Sequence, residues 1–124
     1  MAILIDSDVL IEVSRGRDEA LLRKWNELGN SGRALFCSPV TIAELWHGAR
    51  QSEHRVLNDL FSVLTCVPID GEIGRLAGDY LRQNAASHHV ELGDALIAAT
   101  AIVHNADLWT RNRKHYPMKG LRFL

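Results

Sequence analysis

The run Ile3-Leu4-Ile5, cut short by Asp6-Ser7-Asp8, sets the terms for any fold of this chain. A short aliphatic run bounded by polar residues reads as a buried strand. In open α/β sheets, ligands bind beyond the carboxyl ends of such strands, which makes Asp6 the first candidate for chemistry. The same Asp-Ser-Asp triplet equally suits the start of the helix that Val9-Leu10-Ile11 suggests, because short polar side chains accept hydrogen bonds from the free N–H groups of a first turn. Taken alone, the stretch leaves Asp6 open as ligand or as cap.

The remainder of the chain alternates short apolar runs with helical periodicity. Asp8 to Ser14 is expected as a short helix stopped by Gly16. Asp18 caps a second helix with Leu21, Trp25 and Leu28 on one face, closed by Gly29 to Gly32. Ala34-Leu35-Phe36-Cys37 is a second strand. Ser38-Pro39 then supplies a cap and a first-turn proline for a helix whose apolar stripe is Ile42, Leu45, Trp46 and Ala49, with Glu44 off that stripe. Val56, Leu57, Leu60, Phe61 and Leu64 repeat at helical spacing, and Cys66-Val67-Pro68-Ile69 is a third strand that Pro68 confines to an edge or ends early. Asp70 caps an amphipathic segment with Ile73, Leu76, Ala77, Tyr80 and Leu81. A polar break at Ser87-His88-His89, read as an exposed turn, precedes a helix from Glu91 to Ile102 that is apolar on nearly every side. Leu108-Trp109-Thr110 and Gly120 to Leu124 are the fourth and fifth strands. Strands separated by helices imply parallel pairing with right-handed crossovers. The expectation is a three-layer α/β/α sandwich on a mostly parallel four- to five-stranded sheet, with residues 1–124 as a single domain.

Charge narrows the function classes. With 14 basic and 15 acidic residues the formal charge is −1, so nucleic-acid binding needs a local basic patch rather than a global field. The first residues carry no basic region followed by a long apolar one, and no apolar stretch approaches the roughly 18 residues of a membrane span. A cytoplasmic protein with no membrane partner is expected. Cys37 and Cys66 fall inside expected strands without metal-type spacing and read as reduced core cysteines.

Acidic residues gather at one end of this scheme. Asp6 ends the first strand, Glu44 lies in the helix opened directly by the second, and Asn112 follows the fourth. Asp94 is conspicuous in the first turns of an apolar helix, since a buried carboxylate needs a partner; it joins the others if its helix starts at the same rim. Asp107 precedes the fourth strand and belongs at the opposite end. Carboxylates brought together repel one another unless a cation compensates, and hard divalent ions prefer oxygen ligands. The pattern suggests metal-assisted phosphodiester hydrolysis, in which the metal activates water and no histidine base is required.

The segments Ile5-Asp6-Ser7-Asp8-Val9-Leu10-Ile11, Ser38-Pro39-Val40-Thr41-Ile42-Ala43-Glu44-Leu45, Gly93-Asp94-Ala95-Leu96-Ile97-Ala98-Ala99-Thr100-Ala101 and Trp109-Thr110-Arg111-Asn112 occur in this order across nearly the whole chain. In that arrangement the sequence resembles the PIN-domain ribonucleases, and among them the VapC-type toxins of prokaryotic toxin–antitoxin pairs. The resemblance implies a Mg2+- or Mn2+-dependent endoribonuclease with acidic residues at Asp6, Glu44 and Asp94. It also implies a homodimer, a cognate antitoxin that inserts a segment into the acidic groove, and tRNA or rRNA as target. One departure is Asn112, where the family often has a fourth acid. An amide oxygen can approach a metal but carries no charge, which favours one tightly held metal, with a second only in the substrate complex.

Neighbouring residues carry lesser expectations. Asp8 either holds a metal-bound water or caps the helix. Thr110 and Ser7 each place a hydroxyl beside the site to orient Asp94 or a water, and a helix cap also accounts for Ser7. Arg111, Arg113, Lys114 and His115 follow the rim and are candidate contacts to RNA phosphates, as are Arg15 and Arg17; such contacts position RNA without reading it. A solvated charged loop explains the first four equally well. Other functions stay open on sequence: a PIN-like module that binds RNA or a partner without cutting, a haloacid-dehalogenase-like phosphatase using Asp6 and Asp8, and a receiver-like phosphoacceptor at Asp70.

Overall fold

The computed structural model describes the backbone of residues 1–124 and the side chains of all but residues 85–88. In chain order the elements are β1 (Ile3–Ile5), α1 (Ser7–Arg15), α2 (Glu19–Gly29), β2 (Leu35–Cys37), α3 (Pro39–Gly48), α4 (His54–Ser62), β3 (Thr65–Cys66), α5 (Gly71–His88), α6 (Leu92–Val103) and β4 (Asp107–Trp109). Single 3-10 turns occupy Gln51–Glu53 and Arg113–His115. The strands form one sheet in the order β3-β2-β1-β4. Every pairing is parallel, with Ile3 opposite both Leu35 and Asp107.

β1 is central because all three of its residues are apolar and able to be buried on both faces, and Ile3, Leu4 and Ile5 are each 0% exposed. Alternation along the strand sends Leu4 to one face and Ile3 and Ile5 to the other. On the first face Leu4 packs with Ile73, Ala77 and Tyr80 of α5 and with Ala95, Ala98 and Ala99 of α6. On the second, Ile3 and Ile5 pack with Val9 and Leu10 of α1, Leu45 of α3, and Leu57 and Leu60 of α4. These two cores define the three expected layers. The chain winds from β1 through β2 to β3 on one side, then returns to place β4 on the other side of β1. The order therefore reverses between β1 and β4, where an open parallel sheet leaves its ligand crevice.

Capping was legible in the residue types. Asp18, Ser38 and Asp70 each accept a hydrogen bond from the backbone N–H of the turn they open. Gly16 closes α1 at φ 65, the left-handed conformation that glycine adopts without strain. The third strand is short and lies at the sheet edge, as Pro68 requires.

Several expectations change. The fifth strand is reduced to one bridge between Leu108 and Phe123, because the chain turns at Gly120, φ 83, and only its last residues run beside β4. The buried face of α3 is Thr41 and Leu45, while Trp46 is 42% exposed and stacks on His54 with ring centroids 4.5 Å apart. No break occurs at Ser87 and His88: α5 runs through His88 and ends on His89 at φ 51. The side chains of Ser87 and His88 lie outside the described residues. Cys37 is buried but Cys66 is exposed, so only one of the two is a core residue; both are free. Asp107 sits at the opposite end of the sheet, paired with Arg33 at 2.8 Å and Arg122 at 2.9 Å. Among the described residues no helix is long and apolar enough to cross a membrane.

Candidate active site

Asp6 leaves β1 with its backbone still in register, its N–H donating to the Trp109 carbonyl of β4 at 3.0 Å. Its side chain then turns back to cap α1. Oδ1 accepts from the Ser7 N–H at 2.8 Å, and Oδ2 accepts from the Thr110 hydroxyl at 3.0 Å and the Tyr116 hydroxyl at 2.6 Å. The cap therefore belongs to Asp6, not to Ser7 or Asp8. Freed from capping, the Ser7 hydroxyl donates to Glu44 Oε1 at 2.9 Å and links α1 to α3.

Asp8 stands in the first turn of α1. Its Oδ2 accepts from the Arg111 N–H at 3.0 Å and lies 3.3 Å from the Thr110 hydroxyl, whose single proton is divided between Asp6 and Asp8. Thr110 orients these two carboxylates rather than Asp94. Asp8 Oδ1 is buried with no hydrogen-bond partner. Asp94 enters from the first turn of α6, the helix opened by Glu91, and its Oδ2 lies 3.9 Å from His115 Nδ1. Asn112 places its amide against the His115 ring at 3.1–3.2 Å.

These side chains meet at the carboxyl end of the sheet. Asp6, Ser7, Asp8, Glu44, Glu91, Asp94, Asn112 and His115 line one cleft of about 230 Å³. Burial first, and then the neighbouring Asp6, hold the Asp8 carboxyl above its usual range against the Arg111 and Val9 N–H groups and Thr110. Burial likewise raises Asp94, with His115 opposing and Asp6 and Glu91 adding. The Tyr116 hydroxyl is pushed far above its ordinary range by burial and by Asp6, so it stays protonated and donates.

The basic residues behave differently. Arg111 contributes its backbone N–H to Asp8, but its guanidinium reaches Glu12 at 3.7 Å and Asp18 at 3.9 Å. Arg113 lies over the Phe123 ring and donates to the Leu124 carbonyl. Lys114 is exposed. None of the three lines the cleft. Arg15 and Arg17 pair with Glu12.

Sequence reasoning missed Tyr116, whose buried hydroxyl joins the Ser7 N–H and the Thr110 hydroxyl on Asp6. The available signal was general: a buried tyrosine hydroxyl requires a partner. Nothing in Tyr116-Pro117-Met118 indicates which one.

The donors facing the cleft are predominantly oxygens, the set that hard divalent cations take. The unpartnered Asp8 Oδ1 and the raised carboxyls of Asp8 and Asp94 are the features a cation would relieve. Among the described residues no three Asp, Glu, His or Cys side chains stand close enough to enclose an ion by themselves.

Comparison with known proteins identifies the family and the fold. The PIN domain family matches residues 3–121. The chain is 37% identical to Ribonuclease VapC19 of Mycobacterium tuberculosis, covering 93% of this chain and 92% of that protein. It is 42% identical to Ribonuclease VapC10 of the same organism, covering 94% and 86%. A chain in the crystal structure of VapBC2 from Rickettsia felis bound to a promoter DNA fragment superposes with a TM-score of 0.86 at 20% identity, covering 100% of this chain and 98% of that one. At that identity the likeness concerns the fold.

Proposed function

The chain belongs to the PIN-domain family, with VapC ribonucleases as relatives over nearly its full length, and from that premise we propose that it is an endoribonuclease, the toxin of a toxin–antitoxin pair. The observation that carries the reading is the shared cleft: Asp6, Glu44 and Asp94 arrive from β1, α3 and α6 at the switch point of a parallel sheet. Residues 1–124 constitute a single catalytic domain acting in the cytoplasm as a homodimer. A cognate antitoxin binds it, a partnership that the toxin–antitoxin complex among its structural neighbours supports; its insertion of a segment into the acidic cleft belongs to this proposal alone. The substrate is RNA, with tRNA or rRNA as the target class.

Asp6, Asp94 and Glu44 would hold Mg2+ or Mn2+, with Asp8 and Asn112 as further oxygen donors that would act through water. When bound, the ion polarises a phosphodiester oxygen and activates water for hydrolysis. The chain's own residues prepare the cleft. Ser7 fixes Glu44 as an acceptor, the Thr110 hydroxyl fixes Asp6 and Asp8, and the 110–115 segment forms the outer wall with Asn112 and His115. Arg111, Arg113 and Lys114 lie outside the cleft, and contact with flanking RNA phosphates is the role this reading assigns them.

Purified protein is expected to cut RNA with added Mg2+ or Mn2+ and to stop in EDTA. Asp6→Asn and Asp94→Asn bring cleavage below detection while a thermal melt still shows a cooperative transition. Undiminished cutting in EDTA sinks the metal mechanism. RNA retained without cutting by the wild type supports the non-cleaving binding module.

A further inference from the structure

We propose that Tyr116 is a positioning residue for RNA cleavage: its hydroxyl, with that of Thr110, locks the Asp6 carboxylate so that a single oxygen lone pair faces the cation. The inference rests on Asp6 being a metal ligand. A carboxylate offers about four lone-pair sites. One on Oδ1 is taken by the Ser7 N–H at 2.8 Å, and Oδ2 is approached by Thr110 at 3.0 Å and Tyr116 at 2.6 Å. With Thr110 donating to Asp6, the nearer of its two carboxylates, Oδ2 is filled and one site on Oδ1 remains.

The same hydroxyl closes a loop. The segment from Thr110 to Tyr116 begins and ends on one oxygen, Asp6 Oδ2, and between those anchors it carries Asn112 and His115 onto the cleft wall. The Asn112 N–H donates to Thr110 Oγ1 at 3.1 Å, so the loop is tied to the anchor a second time. Tyr116 is 4% exposed, which leaves its hydroxyl little access to water as an alternative partner. Outer hydrogen bonds of this kind orient ligating carboxylates, and their loss costs roughly 10- to 100-fold in metal affinity or activity.

Tyr116→Phe removes the hydroxyl and keeps the ring in the core. Mn2+ is titrated calorimetrically into the wild type, Tyr116→Phe and Asp6→Asn, alongside RNA-cleavage kinetics. The expected result is binding to the wild type, loss in Asp6→Asn, and affinity about tenfold weaker in Tyr116→Phe. The kcat of Tyr116→Phe falls by a similar factor with KM for RNA unchanged. Wild-type Mn2+ affinity in Tyr116→Phe, with Asp6→Asn still deficient, overturns the role of Tyr116 alone. Absence of binding to the wild type overturns the Asp6 reading with it. A readout that needs no variant uses the wild type labelled with fluorotyrosine, which carries only Tyr80 and Tyr116. Saturating Mg2+ should move the Tyr116 resonance and leave that of Tyr80 in place; an immobile Tyr116 signal counts against the proposal.

Discussion

Asp8 and Asp94 hold their charges against the fold. Both carboxyls sit above the usual range, burial being the first cause in each. A carboxyl whose folded pKa is raised binds its proton more tightly in the folded state, so metal-free stability falls as pH rises through that folded value. It is regained on acidification down to the unfolded value near ~3.9. Asp107 acts with the opposite sign: Arg122 and Arg33 lower its pKa, and its contribution is lost as pH falls below the same unfolded value. The metal-free melting temperature should therefore rise as pH falls through the raised folded values of Asp8 and Asp94, and decline as pH falls below about 4. Asp94→Asn should flatten the upper part of that profile and raise the metal-free melting temperature at pH 7, by about 4 °C for each kcal/mol recovered. A lower melting temperature in this variant would mean that the 3.9 Å contact to His115 is a structural ion pair.

At the scale of elements, α3 shows how a helix is aimed. Cys37 ends β2, Ser38 caps with its Oγ 3.1 Å from the Val40 N–H, and Pro39 fixes the first turn, so the helix has no slack in which to start elsewhere. With Thr41 and Leu45 turned inward, Glu44 falls on the flank facing Ser7. Ser38→Ala should cost about 1 kcal/mol, or roughly 4 °C in melting temperature, and should slow cleavage as the Glu44–Ser7 contact loosens. Melting and turnover of the one variant check both effects; a lower melting temperature with unchanged turnover would show that the cap serves stability alone. The cap and proline were readable in sequence, but the buried stripe was not. Trp46 looks like core by size, yet it lies exposed against the His54 ring, and the small Thr41 is the residue buried beside Ser7.

For the whole molecule, strand order decides which residues become neighbours. β3 pairs with β2 so that Cys66 stands opposite Cys37. Cys37 is enclosed, its thiol pushed up to about 12 by burial and by Cys66, while Cys66 lies on the open edge. Thiolate is the reactive form. Iodoacetamide at neutral pH should label Cys66 and spare Cys37, as peptide mass spectrometry would show. Equal labelling would require the sheet edge to open. Strand order likewise puts Thr110, at the end of β4, beside Asp6, at the end of β1, although 104 positions separate them.

The alternation of apolar runs and helical stripes determined a parallel three-layer sandwich, because a run such as Ile3-Leu4-Ile5 is stable only when covered on both faces. Capping residues determined where most helices begin, since a first turn leaves N–H groups that only nearby side chains can satisfy. Asp6 was placed at the rim by the strand it ends, whereas Glu44 and Asp94 were grouped with it as a set through the family resemblance, and the structure brings the three to one cleft. What tertiary structure alone decided is how those acids are held. The choice of Asp6 as cap, the turning of Ser7 toward Glu44, and the burial of the Tyr116 hydroxyl on Asp6 depend on distances between segments far apart in the chain, which no local periodicity encodes.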